Sequence, residues 1–126
     1  MARILVIDDE AMVRLAVGAA LRFAGHEVVD ASDGETGIAL IQQQAFDLIV
    51  TDIRLPRLDG QEVIKASRRI QPGCRVIAVG GGGTVAVFGP EAYARQLGAD
   101  RVLHKPFAVH ELNAAVAELL NIAQGG

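Results

Sequence analysis

The chain has 126 residues, 51% of them hydrophobic, with a formal net charge of −3 and a single cysteine. That length reads as one domain, residues 1–126, large enough to bury a core without disulfides or a structural metal. The mild negative charge argues against a general nucleic-acid or membrane-surface binder, the lone Cys74 fits a reducing compartment such as the cytoplasm, and no apolar stretch approaches a membrane span.

The opening stretch is apolar, but Asp8-Asp9-Glu10 cuts it short of a signal-peptide core. Residues 3–7 show no alternation and predict a strand buried on both faces, β1. Residues 11–23 predict a helix, α1, with Val13, Val17, Ala20, Leu21 and Ala24 at helical spacing and Gly25 at the place of a C-terminal glycine. Residues 26–31 partly alternate and predict an edge strand, β2. Ser32-Asp33-Gly34 is turn chemistry, and residues 35–44 predict α2, with Ile38 and Ile41 facing inward. Residues 46–52 predict a third strand, β3, ending in the run Leu48-Ile49-Val50-Thr51-Asp52. A loop, Ile53-Arg54-Leu55-Pro56-Arg57-Leu58-Asp59-Gly60, precedes α3 at 61–70, which Gln71-Pro72-Gly73 ends. Residues 75–79 predict a buried β4, beside which Cys74 reads as a small packing residue.

Residues 80–89, Gly80-Gly81-Gly82-Gly83-Thr84-Val85-Ala86-Val87-Phe88-Gly89, are the least regular part of the chain. Pro90 suits the first position of a helix, α4, running to Leu97 and stopped by Gly98. Residues 102–104 predict a short β5, broken by Lys105-Pro106. Residues 109–123 predict α5, with Leu112, Val116, Leu119 and Ala123 on one face, and Gln124-Gly125-Gly126 reads as a frayed end. There is no internal repeat and no linker. Strands alternating with helices imply an α/β fold, a (βα)5 doubly wound, five-stranded parallel sheet covered on both faces.

In such folds ligands gather beyond the carboxyl ends of the strands. There stand Asp8 and Asp9 after β1, Asp52 after β3, Gly80 after β4 and Lys105 after β5. Taken alone, Asp52 at a strand end is a turn former. With three carboxylates and one lysine converging, charge repulsion in a partly buried cleft asks for a cation. Mg²⁺ takes one or two carboxylates plus waters and phosphate oxygens. Lys105 supplies a point charge for phosphoryl oxygens, and a carboxylate can attack phosphorus.

These residues resemble the receiver domains of two-component response regulators, which share the CheY-like, flavodoxin-like fold. The resemblance spans nearly the whole chain. It rests on Asp8-Asp9, on Asp52 followed by Leu55-Pro56 and Asp59-Gly60, and on Lys105-Pro106-Phe107. It implies that Asp52 is the phosphoacceptor, taking its phosphoryl group from a histidine kinase or a histidine phosphotransfer protein. It also implies that Asp9 ligates Mg²⁺ directly, Asp8 mainly through water, and Asp52 and the backbone carbonyl of Arg54 complete the metal site. Lys105 would pair with the phosphoryl group, and the Lys105-Pro106 bond would be cis. Such a domain is a signalling module rather than an enzyme, although it assists its own phosphorylation and dephosphorylation. Its output would be protein–protein contact with a partner the sequence does not name, as a monomer or a weak dimer through the α4–β5–α5 face. The α1 helix, from Met12 and Val13, helps dock the kinase in the family; core packing explains apolar residues there equally.

The chain departs from the family at two places. Receivers carry Ser or Thr at the end of β4, where this chain has Gly80. They often carry Tyr or Phe three residues before the lysine, where this chain has Val102. For Gly80 two readings stand: the glycines make a flexible loop, or backbone amides from Gly80, Gly81 and their neighbours replace the hydroxyl as phosphate donors. Thr84 folding back is a further option. The segment up to Lys105 is a few residues longer than in common receivers, with the extra length placed at 84–89. There Val85, Val87 and Phe88 either pack down or form a partner patch. Arg54 and Gly82 flank the acceptor and either tune water access or are solvated. His26, His104 and His110 show no metal-ligand spacing.

Two other functions compete. One is a receiver-like binding module that no longer switches by phosphorylation, motivated by the missing hydroxyl. The other is a hydrolase with an aspartyl nucleophile, which needs a second Asp two residues on, where this chain has Arg54.

Overall fold

The computed structural model describes residues 1–81 and 89–123. The stretch 82–88, on which the expectations for Gly82, Thr84, Val85, Val87 and Phe88 fall, and the last residues 124–126 lie outside the described residues. Among the described residues no helix is long and apolar enough to cross a membrane.

The strands β1 (Arg3–Ile7), β2 (Glu27–Ala31), β3 (Leu48–Asp52), β4 (Arg75–Gly80) and β5 (Arg101–His104) form one parallel sheet in the order β2-β1-β3-β4-β5. Between and after them run α1 (Ala11–Phe23), α2 (Gly34–Gln43), α3 (Gly60–Ile70), α4 (Pro90–Leu97) and α5 (Val109–Ala123). The architecture is the doubly wound one that the alternation implies, and β2 is an edge strand as its partial alternation suggests. The β3 strand is buried along its whole length, as unalternated apolar runs in covered sheets are.

Successive strand residues point to opposite faces, so each strand feeds two cores. On one face Ile4, Val6, Leu48, Val50, Ile77 and Val79 pack against Val17 and Leu21 of α1 and Leu112, Val116 and Leu119 of α5. On the other, Leu5, Ile7 and Ile49 meet Ile41 of α2 and Val63 of α3. A third cluster joins Ile64 of α3, Val76, Ala78 and Val102 of the sheet, and Ala94 and Leu97 of α4. Fully burying a side chain such as Ile64 contributes about 1.5–3 kcal/mol. Cys74 is buried, and its burial pushes the thiol up to about 12, so it is packing rather than a nucleophile.

The ends of the elements differ from the sequence pattern by a residue or two. Phe46 is buried but precedes β3, because its amide donates to the Gln71 side chain rather than to a ladder. Asp47 then ties the strand start to β1, its carboxylate accepting the Arg3 amide at 2.8 Å. Ala24, grouped with the inward face of α1, is exposed, since the helix has ended there.

Candidate functional site

Register brings the acidic residues together. Ile7 of β1 stands opposite Thr51 of β3, so the next residues, Asp8 and Asp52, emerge side by side. The β1–α1 turn closes on itself, with the Glu10 amide donating to Asp8 Oδ1 at 2.9 Å. Arg14, one turn into α1, donates from Nη1 to the Asp8 carbonyl at 2.7 Å. It also faces Asp30 of β2 at 3.7 Å, pinning the turn to the sheet.

Beyond β3 the chain doubles back beneath Asp52. The Ile53 amide donates to Val79 of β4, and the Gly60 amide returns to the Ile53 carbonyl at 2.8 Å. A Cβ at Gly60 would lie 2.1 Å from the Asp52 carbonyl oxygen, so only glycine lets α3 start this close to β3. Asp59 caps α3, its side chain accepting the Glu62 amide. Arg57 holds the loop from outside, donating to Glu35 at 2.8 Å from a left-handed backbone conformation with φ 66°.

Lys105 crosses the sheet edge from the end of β5. Its Nζ donates to Asp52 Oδ2 at 3.0 Å and to Asp8 Oδ2 at 3.1 Å, with Glu10 at 3.6 Å. Its amide donates to the Gly80 carbonyl at 2.7 Å, and the Lys105–Pro106 bond is cis. Asp8 and Asp52 are buried, at 4% and 7% exposure, whereas Asp9 and Glu10 are open to solvent. Burial raises the Asp52 carboxyl above the ordinary carboxylate range; the Asp8 charge adds to this, and the Lys105 ammonium only partly offsets it. Burial pulls the Lys105 ammonium downward, but its bonds to Asp52 and Asp8 outweigh that, so it is raised and protonated.

Ligand oxygens of Asp8, Asp9, Glu10 and Asp52 all lie within 4.8 Å of one another. One ammonium faces this excess of carboxylates. A dense set of hard oxygen donors with surplus negative charge suits a divalent cation such as Mg²⁺. The cleft, of about 420 Å³, is lined by Asp9, Glu10, Asp52, Ile53, Arg54, Gly80, Gly81, Tyr93 and Lys105. Arg54 enters through its amide, which donates to Asp52 Oδ1 at 3.1 Å. Gly80 and Gly81 form the wall on the β4 side, and Val102, opposite Ala78 on β5, is buried in the third core.

The structure thus gathers every site residue that the sequence placed at a strand end. It adds Glu10, Arg14, Ile53 and Tyr93. Glu10 sat beside Asp9 in plain view. The other three carry no local signal, because what places them is packing across elements. His26 borders the Ala2 amide and not the cleft.

A parallel sheet with acids and a lysine gathered at its carboxyl edge defines a class of α/β domain that comparison with known proteins makes definite. The family model described as "Response regulator receiver domain" matches residues 4–117, and the chain belongs to that family. It is 36% identical over 118 residues to the probable transcriptional regulator ycf27 of Cyanophora paradoxa, covering 94% of this chain and 48% of that protein. It is 38% identical over 120 residues to the response regulator MprA of Mycolicibacterium vanbaalenii, covering 94% of this chain and 50% of that one. The chain therefore spans about half the length of these curated relatives. Among solved structures, a CheY-like receiver domain protein from Methanospirillum hungatei superimposes with a TM-score of 0.89 at 28% identity, covering 99% of this chain and 98% of that one.

Proposed function

We propose that this receiver domain accepts a phosphoryl group on Asp52 from a phosphohistidine of a histidine kinase or phosphotransfer protein, and signals by protein–protein contact in the cytoplasm. The observation that carries this reading is the Asp52 carboxylate held 3.0 Å from Lys105 Nζ within the cluster of Asp8, Asp9 and Glu10. On this reading an Asp52 oxygen attacks phosphorus in line. The phosphorus–nitrogen bond to the histidine breaks, and its electron pair stays on the imidazole. Lys105 neutralises charge on the phosphoryl oxygens in a site built before the reaction begins. The Arg54 amide orients the acceptor carboxylate. Asp8, Asp9, Asp52 and the Arg54 carbonyl are the groups that would hold Mg²⁺; when bound, the ion supplies positive charge to the phosphoryl oxygens. Water later attacks phosphorus, the bond to Asp52 breaks, and the carboxylate is restored. The domain is thus a stoichiometric acceptor and not an enzyme acting on a free substrate.

Access for the donor is supported by the surface beside the cleft. A groove of about 540 Å³ runs from Glu10 and Lys105 along Met12, Val13 and Ala16 of α1 to Phe107 and Val109 at the start of α5. Met12 is 77% exposed and Val109 57%. An apolar groove opening onto the acceptor suits a helix that presents a phosphohistidine. The α4, β5 and α5 elements offer a face for an output partner or a weak dimer.

A second reading, a binding module that no longer responds to phosphorylation, is favoured by the absence of a side chain at Gly80. Intact-mass measurement separates the two. With Mg²⁺ and acetyl phosphate, the acceptor reading expects an acid-stable, base-labile increase of one phosphoryl group, absent from Asp52→Asn. An unmodified wild-type protein that still binds Mg²⁺ would favour the binding module.

A further inference from the structure

We propose that Ile53 is a positioning residue that carries the state of the acidic cleft to α4, through the space that Gly80 leaves open. The proposal rests on Asp52 being the acceptor. Gly80 ends β4 beside the cleft, and a Cβ built on it would stand 2.6 Å from Ile53 Cδ1, 3.6 Å from Cγ1 and 3.8 Å from Cβ. The Ile53 side chain therefore lies along the path that any side chain at position 80 would follow. What is missing from β4 is filled by the residue that follows the neighbouring strand β3.

Ile53 is well placed for this task. It directly follows Asp52, and its backbone is fixed on both sides, by its amide to Val79 and by the Gly60 amide to its carbonyl. Such a backbone leaves little slack between the acceptor and the next side chain. That side chain lines the cleft with Tyr93. It also packs, again with Tyr93, against the cluster of Ile64, Val76, Ala78, Ala94, Leu97 and Val102. One end of Ile53 thus meets the site and the other meets the core beneath α4. A β4 hydroxyl would report the phosphoryl group by a hydrogen bond. Here the report passes by packing: close-packed interiors have no room to absorb a displaced side chain locally, so its neighbours must shift.

Tyr93 provides the readout, because it is the single tyrosine in a chain without tryptophan. The test measures tyrosine emission of the full chain before and after phosphorylation with Mg²⁺ and acetyl phosphate, with variants compared at equal adduct occupancy by intact mass. Wild type is expected to change emission on phosphorylation, Ile53→Val to change less, and Ile53→Ala to change at least about threefold less, within the range for residues on a coupling route. An Ile53→Ala protein with the full change, or a phosphorylated wild type with none, overturns the proposal. A double-mutant cycle tests the packing independently: Gly80→Ala is expected to lower Tm in the wild type and less in Ile53→Ala. Equal losses in both backgrounds overturn the shared-space argument. No adduct on the wild type would remove the acceptor reading and the coupling with it, while the cycle would still decide whether residues 53 and 80 compete for one space.

Discussion

The carboxyl edge of the sheet has two halves made of different materials. At β1, β3 and β5, charged side chains converge: Asp8, Asp52 and Lys105 lie within hydrogen-bonding distance, two of them buried. On the β4 and α4 side, the wall is glycine backbone at Gly80 and Gly81, the Tyr93 ring and the aliphatic Ile53 side chain that follows β3. The charged half holds its geometry before any ligand arrives, at the cost of confining like charges. The apolar half offers no side chain at Gly80, and Ile53 Cδ1 stands 2.6 Å from where a Cβ there would lie. On the proposed function, the charged half would carry the chemistry and the apolar half would report it.

The largest expected effect falls on the floor the two halves share. Gly60→Ala would drive a Cβ into the Asp52 carbonyl and the Ile53 Cα, both backbone atoms that cannot rotate away. A loss of about 3 kcal/mol, the upper end for overpacking, is expected in urea unfolding. Wild-type stability in that variant would show that the loop is slack and the two halves are not rigidly joined.

Next comes the charged half alone. Lys105→Met removes the cation from two buried carboxylates and should cost about 2 kcal/mol at neutral pH, since an unpaired buried charge is the expensive outcome. Added Mg²⁺ should then restore more Tm in the variant than it adds to the wild type, because it supplies the charge that was lost. A variant with no loss would mean that the carboxylates are already solvated or protonated.

A smaller effect of opposite sign tests the confinement of charge. Asp52 titrates above its ordinary value of 3.8, so its ionised form is disfavoured in the folded state. Its contribution to stability is therefore present below the unfolded value and is lost as pH rises through the folded one. Asp52→Asn should accordingly be more stable than wild type at pH 7, read as a higher Tm. At pH 3 the gain should vanish. A variant less stable at pH 7 would show that the bond to Lys105 outweighs burial.

Much of this site was legible in the sequence because its signals are local. Each strand is an apolar run, and each catalytic candidate is the charged residue that ends the run or follows it. Once the strands are parallel, Asp8, Asp52 and Lys105 have to meet. Ile53 was hidden for the converse reason. It reads as a loop residue after a strand, and its contact with Gly80 exists only because β3 and β4 are neighbours. The α1 helix shows a different limit. Val13, Val17, Ala20 and Leu21 repeat at helical spacing, but so do Met12, Leu15, Ala19 and Phe23. Periodicity alone does not tell which apolar face is buried. The structure buries Val17 and Leu21 and leaves Met12, Leu15 and Phe23 exposed, at 77%, 63% and 96%, and it is part of this outer face that flanks the groove beside the cleft.

Asp52 is the group proposed to receive phosphorus, and the most direct measurement is to locate the modification. Protein treated with Mg²⁺ and acetyl phosphate is reduced with borohydride, which converts an aspartyl phosphate to homoserine, then digested and sequenced by mass spectrometry. Homoserine is expected at position 52, with aspartate unchanged at positions 8, 9 and 59. Homoserine at another of these positions, or at none while the intact protein carries the phosphoryl mass, would contradict it.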